Sequence, residues 1–323
     1  MSELTEIVVD IPIDKKKGTY EEGKGYISYS QYAQWSKCPA SWKFDKIDKL
    51  GKFDGNVSTI FGTAIHEAIQ DYLTIYFGKG SVEAEQFDYL SKFKNVFISE
   101  FKKETARGTV IALEDCKEHI EDGKEILEYV LSRKVRDKHF SRNEYELVGI
   151  EIEIDEEICN NVKIKGFIDL VLFNKITKKI KILDIKTSTR GWNKYQKEDL
   201  LKLDQVLLYK KFYSDRFEVK LSDIDVQFFI LKRQLFEDAQ YEQTPLQIVQ
   251  PLNRKIDVEE SYERLKEFVT NAFDANGNRD GTKDFPKNPE KANKNCKYCK
   301  FATMLDKDGN VVCDKGKKKK TKK

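Results

Sequence analysis

The sequence lacks long apolar runs and has few cysteines, and both absences exclude classes of protein. Across 323 residues, no stretch approaches the roughly 18 uncharged apolar residues that a membrane-spanning helix needs. The first residues, MSELTEIVVD, have neither the basic nor the apolar region of a secretory signal. Six unevenly placed cysteines are too few for a disulfide scaffold in a chain of this length. We therefore expect a cytoplasmic protein without membrane contact, whose cysteines serve metal or thiol chemistry.

The chain has no net positive charge outside its C-terminus. The net charge is +3, but the last nine residues hold seven lysines and no acid, and removing those seven charges leaves −4 for the rest. We interpret residues 315–323 as a basic disordered tail that either binds phosphates without sequence preference or keeps the protein soluble. Because 39% of the residues are hydrophobic, we expect the rest of the chain to fold around a core.

The spacing of apolar residues indicates an α/β fold after an N-terminal extension at residues 1–25. Ser28 and Ser30 are candidate caps for a short helix that ends before Pro39. Helical spacing then predicts a helical layer over 60–140, with helices at 59–77, 82–104 and 113–134. Segments rich in Ile and Val predict hairpin-linked strands at 146–155, 162–173 and 178–187. The pattern continues with a helix at 194–213, a strand at 226–231, a helix at 258–273 and a loop at 276–295.

Two acids and a lysine stand inside the central predicted strands. Asp169 interrupts an apolar strand, where a carboxylate needs a positive partner because its desolvation is costly. Asp184 and Lys186 lie two residues apart on the next strand and therefore share one face. Carboxylates on neighbouring strands suit a hard divalent cation such as Mg²⁺ or Mn²⁺. A structural Asp–Lys ion pair has the same spacing, so this pattern alone does not decide between them.

Other polar residues are candidates for the same site. Glu151 and Glu153 share a face of the preceding strand, and we favour Glu151 as the additional acid. His66, predicted to begin a helix after Gly62-Thr63, is either an imidazole ligand or a packed core residue. Gln205 and Tyr209 lie four residues apart on one helix face, where they can reach a nucleic-acid strand or form a surface pair.

Four of the cysteines can close one metal site. Cys296 and Cys299 form a C-x2-C turn, Cys313 follows after a hairpin-forming stretch at 306–310, and Cys38 lies near the N-terminus. Such a site would join the two ends of the chain. We interpret the other two, Cys116 and Cys159, as ordinary thiols.

The blocks GTAIHEA, IEIEI, GFIDLVLF, ILDIKT and QVLLY, in this order, resemble the motifs of RecB-type nucleases of the PD-(D/E)XK superfamily. The resemblance spans about 26–313, and Ile168 replaces the proline of the superfamily's name. It implies a restriction-endonuclease-like core, a central mixed sheet flanked by helices, within a nuclease domain at 26–314. The catalytic core would be 145–235, and the C-terminal helix and cysteine site would be 256–314.

The resemblance also implies roles for individual residues. The metal ligands would be His66, Asp169, Asp184 and the carbonyl of Ile185, with Lys186 positioning or activating water. Glu151 would be the auxiliary acid, and Gln205 and Tyr209 would engage DNA. In AddB-type and CRISPR adaptation nucleases, one cysteine before the motifs and three after them hold a [4Fe-4S] cluster, which would assign Cys38, Cys296, Cys299 and Cys313 here. The spacing before Cys313 is longer than usual in that branch, and Zn²⁺ stays the alternative.

We therefore expect a Mg²⁺- or Mn²⁺-dependent deoxyribonuclease that cleaves DNA ends or single strands in recombination, repair or phage-like DNA metabolism, in a bacterial or phage-infected cell. No G-x-x-x-x-G-K-[ST] motif is present, so a helicase or a single-strand-binding protein is an expected partner. The main alternative is a non-catalytic DNA-binding or scaffold subunit of a helicase-nuclease or replication complex. A metal-sensing or redox protein built on the cysteines is a third possibility.

Overall fold

A computed structural model describes residues 25–51, 55–236, 242–287 and 296–314. Three predicted segments lie wholly or partly outside these residues. They are residues 1–24 of the expected extension at 1–25, residues 288–295 of the loop at 276–295, and the tail at 315–323. The helices are α1 (Tyr29–Lys37), α2 (Pro39–Lys46), α3 (Val57–Gly78), α4 (Ser81–Glu85), α5 (Tyr89–Ala106), α6 (Leu113–Val130), α7 (Arg133–His139), α8 (Lys194–Lys197), α9 (Leu200–Phe217) and α10 (Lys255–Ala272). The strands are β1 (Tyr26–Ser28), β2 (Tyr145–Cys159), β3 (Val162–Asn174), β4 (Lys179–Ser188), β5 (Ile224–Lys232) and β6 (Leu246–Val249).

The chain forms two compact units. Of the described residues, the first unit holds 55–154, 167–236 and 242–261. The second unit holds 25–51, 155–166, 262–287 and 296–314. In the described part of the chain, no helix is both long enough and apolar enough to cross a bilayer.

A mixed sheet forms the centre of the first unit. Strand β2 pairs with β3, β3 runs antiparallel to β4, β4 runs parallel to β5, and β5 runs antiparallel to β6. The parallel pair β4–β5 is apolar on both faces, as expected for a strand pair covered on both sides. Helices flank the sheet, so the expected α/β architecture with a mixed central sheet is confirmed. The expected hairpin pairing of β3 with β4 is confirmed as well.

Helix α3 is the central helix of the first unit. Asn56 caps its first turn, because the side-chain Oδ1 accepts a hydrogen bond of 3.0 Å from the Thr59 amide. The predicted apolar face is confirmed, since its members are all buried: Ile65, Ile69, Tyr72, Leu73 and Tyr76. These residues belong to the same hydrophobic core as residues of β3, β4 and β5. A buried helix face of this kind fixes the position of every other side chain on α3.

Three predicted helices are interrupted, contrary to the expectation from the sequence. The segment 113–134 divides into α6, which ends at Val130, and α7, which begins at Arg133. The segment 82–104 divides because Asp88 caps a new helix by accepting a hydrogen bond from the Ser91 amide at 2.9 Å. The segment 194–213 divides because Asp199 caps α9 by accepting one from the Leu201 amide. Aspartate is a strong N-cap, and a helix that begins at its cap cannot continue the preceding one. Strands β1 and β6 span three and four residues, too short for an apolar alternation to indicate them.

The second unit has its own core of aromatic rings. Trp42 is fully buried, and its ring lies 5.3 Å from that of Phe268, 5.7 Å from that of Phe273 and 5.8 Å from that of Phe285. Strand β1 pairs in parallel with the start of β3, with Tyr26 opposite Lys163. Ser28 caps α1 as predicted, and Pro39 stands in the first turn of α2, where its missing N–H costs nothing.

Candidate active site

The antiparallel pairing of β3 with β4 brings the two predicted acids together. The register pairs Leu170 with Leu183, so Asp169 and Asp184 stand opposite each other one step beyond the last pair. Lys186 follows two residues later on β4, and its Nζ lies 3.0 Å from Oδ1 and 2.8 Å from Oδ2 of Asp184. All three side chains belong to the first unit.

Helix α3 supplies an imidazole to this pair of strands. The Nδ1 atom of His66 lies 3.7 Å from Oδ2 of Asp169. The same Oδ2 accepts a hydrogen bond of 2.7 Å from the backbone amide of Ile185, and the backbone of Ile185 also hydrogen-bonds His66. His66 was expected to begin a helix, but α3 already starts at Val57, after its cap Asn56. It is the tenth residue of α3, held in place by the buried face of that helix.

Strand β2 contributes Glu151, the expected auxiliary acid, which has an unusual backbone conformation. Glu151 has a φ of +51°, a left-handed conformation that costs a non-glycine residue on the order of 1 kcal/mol. Its Oε1 accepts a hydrogen bond of 2.6 Å from Nε2 of Gln70, which lies one helical turn after His66 on α3. Gln70 also donates to the Asp169 carbonyl at 3.3 Å. Glu153, the other acid of this strand face, is exposed to solvent.

These elements gather three possible metal ligands. One ligand atom from each of His66, Glu151 and Asp169 lies within 4.8 Å of the other two. In the described ranges, no other set of three His, Cys, Asp or Glu ligand atoms meets this distance. The structure therefore places Glu151, the expected auxiliary acid, in this group of three, while Asp184 lies outside the group and forms an ion pair with Lys186.

Burial strongly perturbs the two aspartates. Burial raises the pKa of Asp169 to about 7, although the Lys186 charge opposes this and the Glu151 charge adds to it. Burial also raises the pKa of Asp184 to about 6, with Lys186 opposing and Asp169 contributing. The ionised form of each carboxylate is therefore desolvated, and the Lys186 charge compensates this only in part. Because pKa values perturbed in this way cluster at functional sites, the pair is a candidate for chemistry.

The neighbouring groups have protonation states suited to metal binding. Burial and the Lys186 charge lower the pKa of His66, so its imidazole is neutral at pH 7 and has a free lone pair. Burial alone would lower the pKa of Lys186, but the charges of Asp184 and Asp169 outweigh it and the pKa is raised. The lysine therefore keeps its positive charge at neutral pH.

The donor set fits a divalent cation. Three carboxylates face one ammonium, and oxygen ligands with an imidazole suit Mg²⁺ or Mn²⁺. The buried Oδ2 of Asp184 accepts no hydrogen bond, although the Lys186 ammonium lies at ion-pair distance. A buried carboxylate oxygen without a donor retains a lone pair that a cation can use. The residues present therefore match the expected cofactor.

Helix α9 closes one side of the site with the predicted Gln205 and Tyr209. The Nε2 atom of Gln205 donates to Oη of Tyr209 at 2.9 Å, so the two side chains act as a pair. Burial raises the pKa of Tyr209 well above its ordinary value, and the charges of Asp184, Asp169 and Glu151 add to this effect. The phenol thus stays protonated and lies close enough to interact electrostatically with the three carboxylates.

The second unit brings the four predicted cysteines around one cavity. The cavity has a volume of about 410 Å³, and all four thiols line it: Cys38, Cys296, Cys299 and Cys313. Burial raises the pKa of Cys296, and the other three thiols add to this effect. As the sequence predicted, the turn at 306–310 returns the chain towards Cys313, with the Asp306 amide donating to the Asn310 carbonyl at 2.8 Å.

Sequence reasoning missed the contribution of Gln70 and of the Ile185 amide. Gln70 is 3% exposed and donates to both Glu151 and Asp169. Its position four residues after His66 was a usable signal, because residues four apart share one face of a helix. The Ile185 amide carries no sequence signal, since every non-proline residue has one.

The sequence matches the family model of the PD-(D/E)XK nuclease superfamily over residues 26–304. The match covers most of the chain, and the protein therefore belongs to this nuclease superfamily. No curated protein is similar enough in sequence to match.

Two solved structures are similar to this chain in outline. The protein SSO0001 shares 13% identity with a TM-score of 0.36, over 94% of this chain and 93% of its own. A candidate exonuclease from Eubacterium rectale shares 12% identity with a TM-score of 0.42, over 76% of this chain and 78% of its own.

Proposed function

We propose that this protein is a DNA nuclease that depends on Mg²⁺ or Mn²⁺ and hydrolyses phosphodiester bonds at DNA ends or in single strands. One observation carries the proposal: ligand atoms of His66, Glu151 and Asp169 lie within 4.8 Å of one another, beside the Asp184–Lys186 pair. A structural ion pair on a sheet face would need no imidazole and no third carboxylate. This concentration of acids is costly unless a cation binds there.

His66, Glu151, Asp169 and Asp184 would hold the ion, with the Ile185 carbonyl as a further ligand. When bound, a divalent ion stabilises negative charge on a phosphate and lowers the pKa of water. Gln70 keeps the Glu151 carboxylate turned towards the site through its hydrogen bond of 2.6 Å. Neutral His66 offers a lone pair without adding a positive charge that would repel the ion.

Lys186 would act as a hydrogen-bond donor. Its raised pKa keeps it protonated at neutral pH, so it orients the attacking water and stabilises charge on the phosphate instead of removing a proton. Asp184, at 2.8 Å, holds the ammonium in place. Gln205 and Tyr209 offer polar groups on α9, beside the carboxylates, where a DNA strand would lie.

Incubation with end-labelled single- and double-stranded DNA tests the nuclease proposal. We expect cleavage with Mn²⁺ or Mg²⁺, none in EDTA, and loss by a factor of roughly 10² or more in Lys186→Met and Glu151→Gln, because both would act in the reaction. Lys181→Met and Glu153→Gln are matched controls on the same strands and should retain activity. A well-folded protein that cleaves no DNA would favour the scaffold alternative, and equal activity in Glu151→Gln and Glu153→Gln would contradict the assigned site.

We also propose that Cys38, Cys296, Cys299 and Cys313 hold a structural [4Fe-4S] cluster. The four thiols line one cavity of about 410 Å³, which supports a shared metal site. The choice of iron-sulfur over zinc rests on the resemblance of the cysteine order to that of the iron-sulfur nucleases.

Metal analysis of protein purified without oxygen tests the cluster. We expect iron and acid-labile sulfide in the wild type and in Cys116→Ser, and their loss in Cys299→Ser. Bound zinc with no iron would support the alternative metal. Absence of both metals from freshly purified protein would contradict a metal site.

A further inference from the structure

A second cavity of the first unit, of about 940 Å³, lies at the first residues of β4 and β5. Its lining combines one acid, Asp225, with five cations: Lys179, Lys210, Lys220, Arg254 and Lys255. Along β4, its first residue Lys179 precedes Asp184 by five positions and Lys186 by seven. At about 3.3 Å per residue, the cavity is roughly 20 Å from the candidate active site. None of its lining residues belongs to that site.

Lys210 is the one buried cation among the described residues that line this cavity. It is 2% exposed, and its Nζ donates to the carbonyl and to Oδ1 of Asn253 at 2.7 and 2.6 Å. Both hydrogen-bond partners are neutral, and in the described part of the chain no carboxylate forms a direct ion pair with this Nζ. Burial lowers the pKa of Lys210 to about 8, although Asp225 and Asp257 attract its charge from a longer distance. Burial of a charge without a direct ion pair is costly, and a bound anion would reduce that cost.

The remaining cations surround Lys210 with positive charge. Lys220 is exposed and has no carboxylate within 4 Å among the residues described. Lys179 lies 3.6 Å from Asp225, the one acid in the lining, and Arg254 pairs with Asp257 outside the cavity. Lys255 is exposed at the start of α10 and lies 3.5 Å from Glu259, in a solvent-exposed ion pair that contributes little and that a phosphate can replace. The lining therefore keeps an excess of positive charge that favours an anion with several oxygens.

Apolar residues also line this cavity and can contact the rest of the ligand. Leu221 and Pro251 line it, and so does Leu252, which is 70% exposed. An exposed leucine beside cations is suited to an amphipathic ligand, with an anionic group on the lysines and a flat apolar part on the leucines. Nucleotides, free or within a strand, have this composition.

We propose that this cavity binds a phosphate group of a nucleotide or of a nucleic-acid backbone, with Lys210 as the buried anchor and Lys220 and Lys255 as exposed contacts. The site is separate from the candidate active site and does not depend on its metal ion. Loss of the nuclease proposal would leave this one standing.

Isothermal titration calorimetry in EDTA tests the site with three probes: inorganic pyrophosphate, ADP and the oligonucleotide (dT)10. We expect the full-length protein to bind pyrophosphate or (dT)10. The double variant Lys220→Glu/Lys255→Glu should bind the same probe roughly 10- to 100-fold more weakly. The matched control Lys102→Glu/Lys134→Glu changes the net charge equally at exposed lysines outside the cavity. Lys210→Met removes only the buried charge and should weaken binding by a similar factor.

The probes distinguish the two phosphate sources. Binding of pyrophosphate and ADP that the cavity variants weaken supports a free nucleotide as the ligand, and such binding of (dT)10 alone supports a nucleic-acid backbone. The proposal is overturned if the wild type binds none of the probes, or if the control pair weakens binding as much as the cavity pair does. Circular dichroism spectra of each variant establish that the fold is retained. If Lys210→Met does not fold, the exposed pair still decides the outcome.

Discussion

In the presence of a chelator, Asp169→Asn should stabilise the protein at pH 8 but not at pH 4. The aspartate is 9% exposed, and burial raises its pKa from 3.8 to about 7. A raised pKa means that the folded state binds a proton that the unfolded state releases. The contribution of protonated Asp169 to stability is therefore complete below pH 3.8 and is lost as the pH rises through 7. Asparagine has nearly the same shape and no charge, so it should avoid this loss.

The size of the effect follows from the pKa difference. A shift of roughly three pKa units corresponds to about 4 kcal/mol of unfolding free energy once the group is fully ionised. The Ile185 amide, which donates to Oδ2 at 2.7 Å, can donate to the asparagine carbonyl instead. The buried hydrogen bond is thus retained, and the cost of ionising Asp169 accounts for most of the difference in unfolding free energy between the two proteins.

Differential scanning calorimetry of both proteins at pH 4, 6 and 8 in EDTA measures this difference. At roughly 2–4 °C per kcal/mol, the variant should melt on the order of 10 °C higher at pH 8. Addition of Mn²⁺ at pH 8 should raise the melting temperature of the wild type and have little effect on the variant. A difference that does not change with pH, or a variant that is less stable at pH 8, would refute the electrostatic argument.

Two further substitutions test the hydrogen bonds of the site and the packing of the hydrophobic core. Gln70→Leu removes the amide that donates to the third carboxylate and should weaken Mn²⁺ binding roughly 10- to 100-fold in a titration, whereas Thr74→Val, one turn along α3, should not. Gly123→Ala should lower the free energy of unfolding by about 1–3 kcal/mol in urea, because its Cβ would lie 2.3 Å from the buried ring of Phe93. Gly78→Ala, with no atom within 4 Å of the new Cβ, should be neutral or stabilising, and equal effects at both glycines would contradict the packing argument.

Much of the fold and the acid pair was predictable from local periodicity. Alternation along β3 and β4 placed Asp169, Asp184 and Lys186 on neighbouring strands, and helical spacing identified the buried face of α3. These patterns succeed because burial imposes a period of two on strands and 3.6 on helices. Two of the three interruptions also had a local signal, since an aspartate cap precedes the new helix at Tyr89 and at Leu200.

The remaining parts of the site depend on contacts between distant segments. The alternation of polar and apolar residues along β2 does not distinguish Glu151 from Glu153. The positive φ of Glu151 and its hydrogen bond from Gln70 do so. Gln70 itself comes from a helix 81 residues earlier. The buried charge of Lys210 was equally hidden, because Asn253, its partner, lies 43 residues away. Sequence spacing carries no information on such pairs without the tertiary structure.

Anomalous diffraction from crystals soaked in MnCl₂ tests the central claim most directly. We predict a manganese peak about 2.1 Å from ligand atoms of His66, Glu151 and Asp169, which disappears in Asp169→Asn. Manganese bound elsewhere, with none at these three residues, would contradict the claim that they form the metal site.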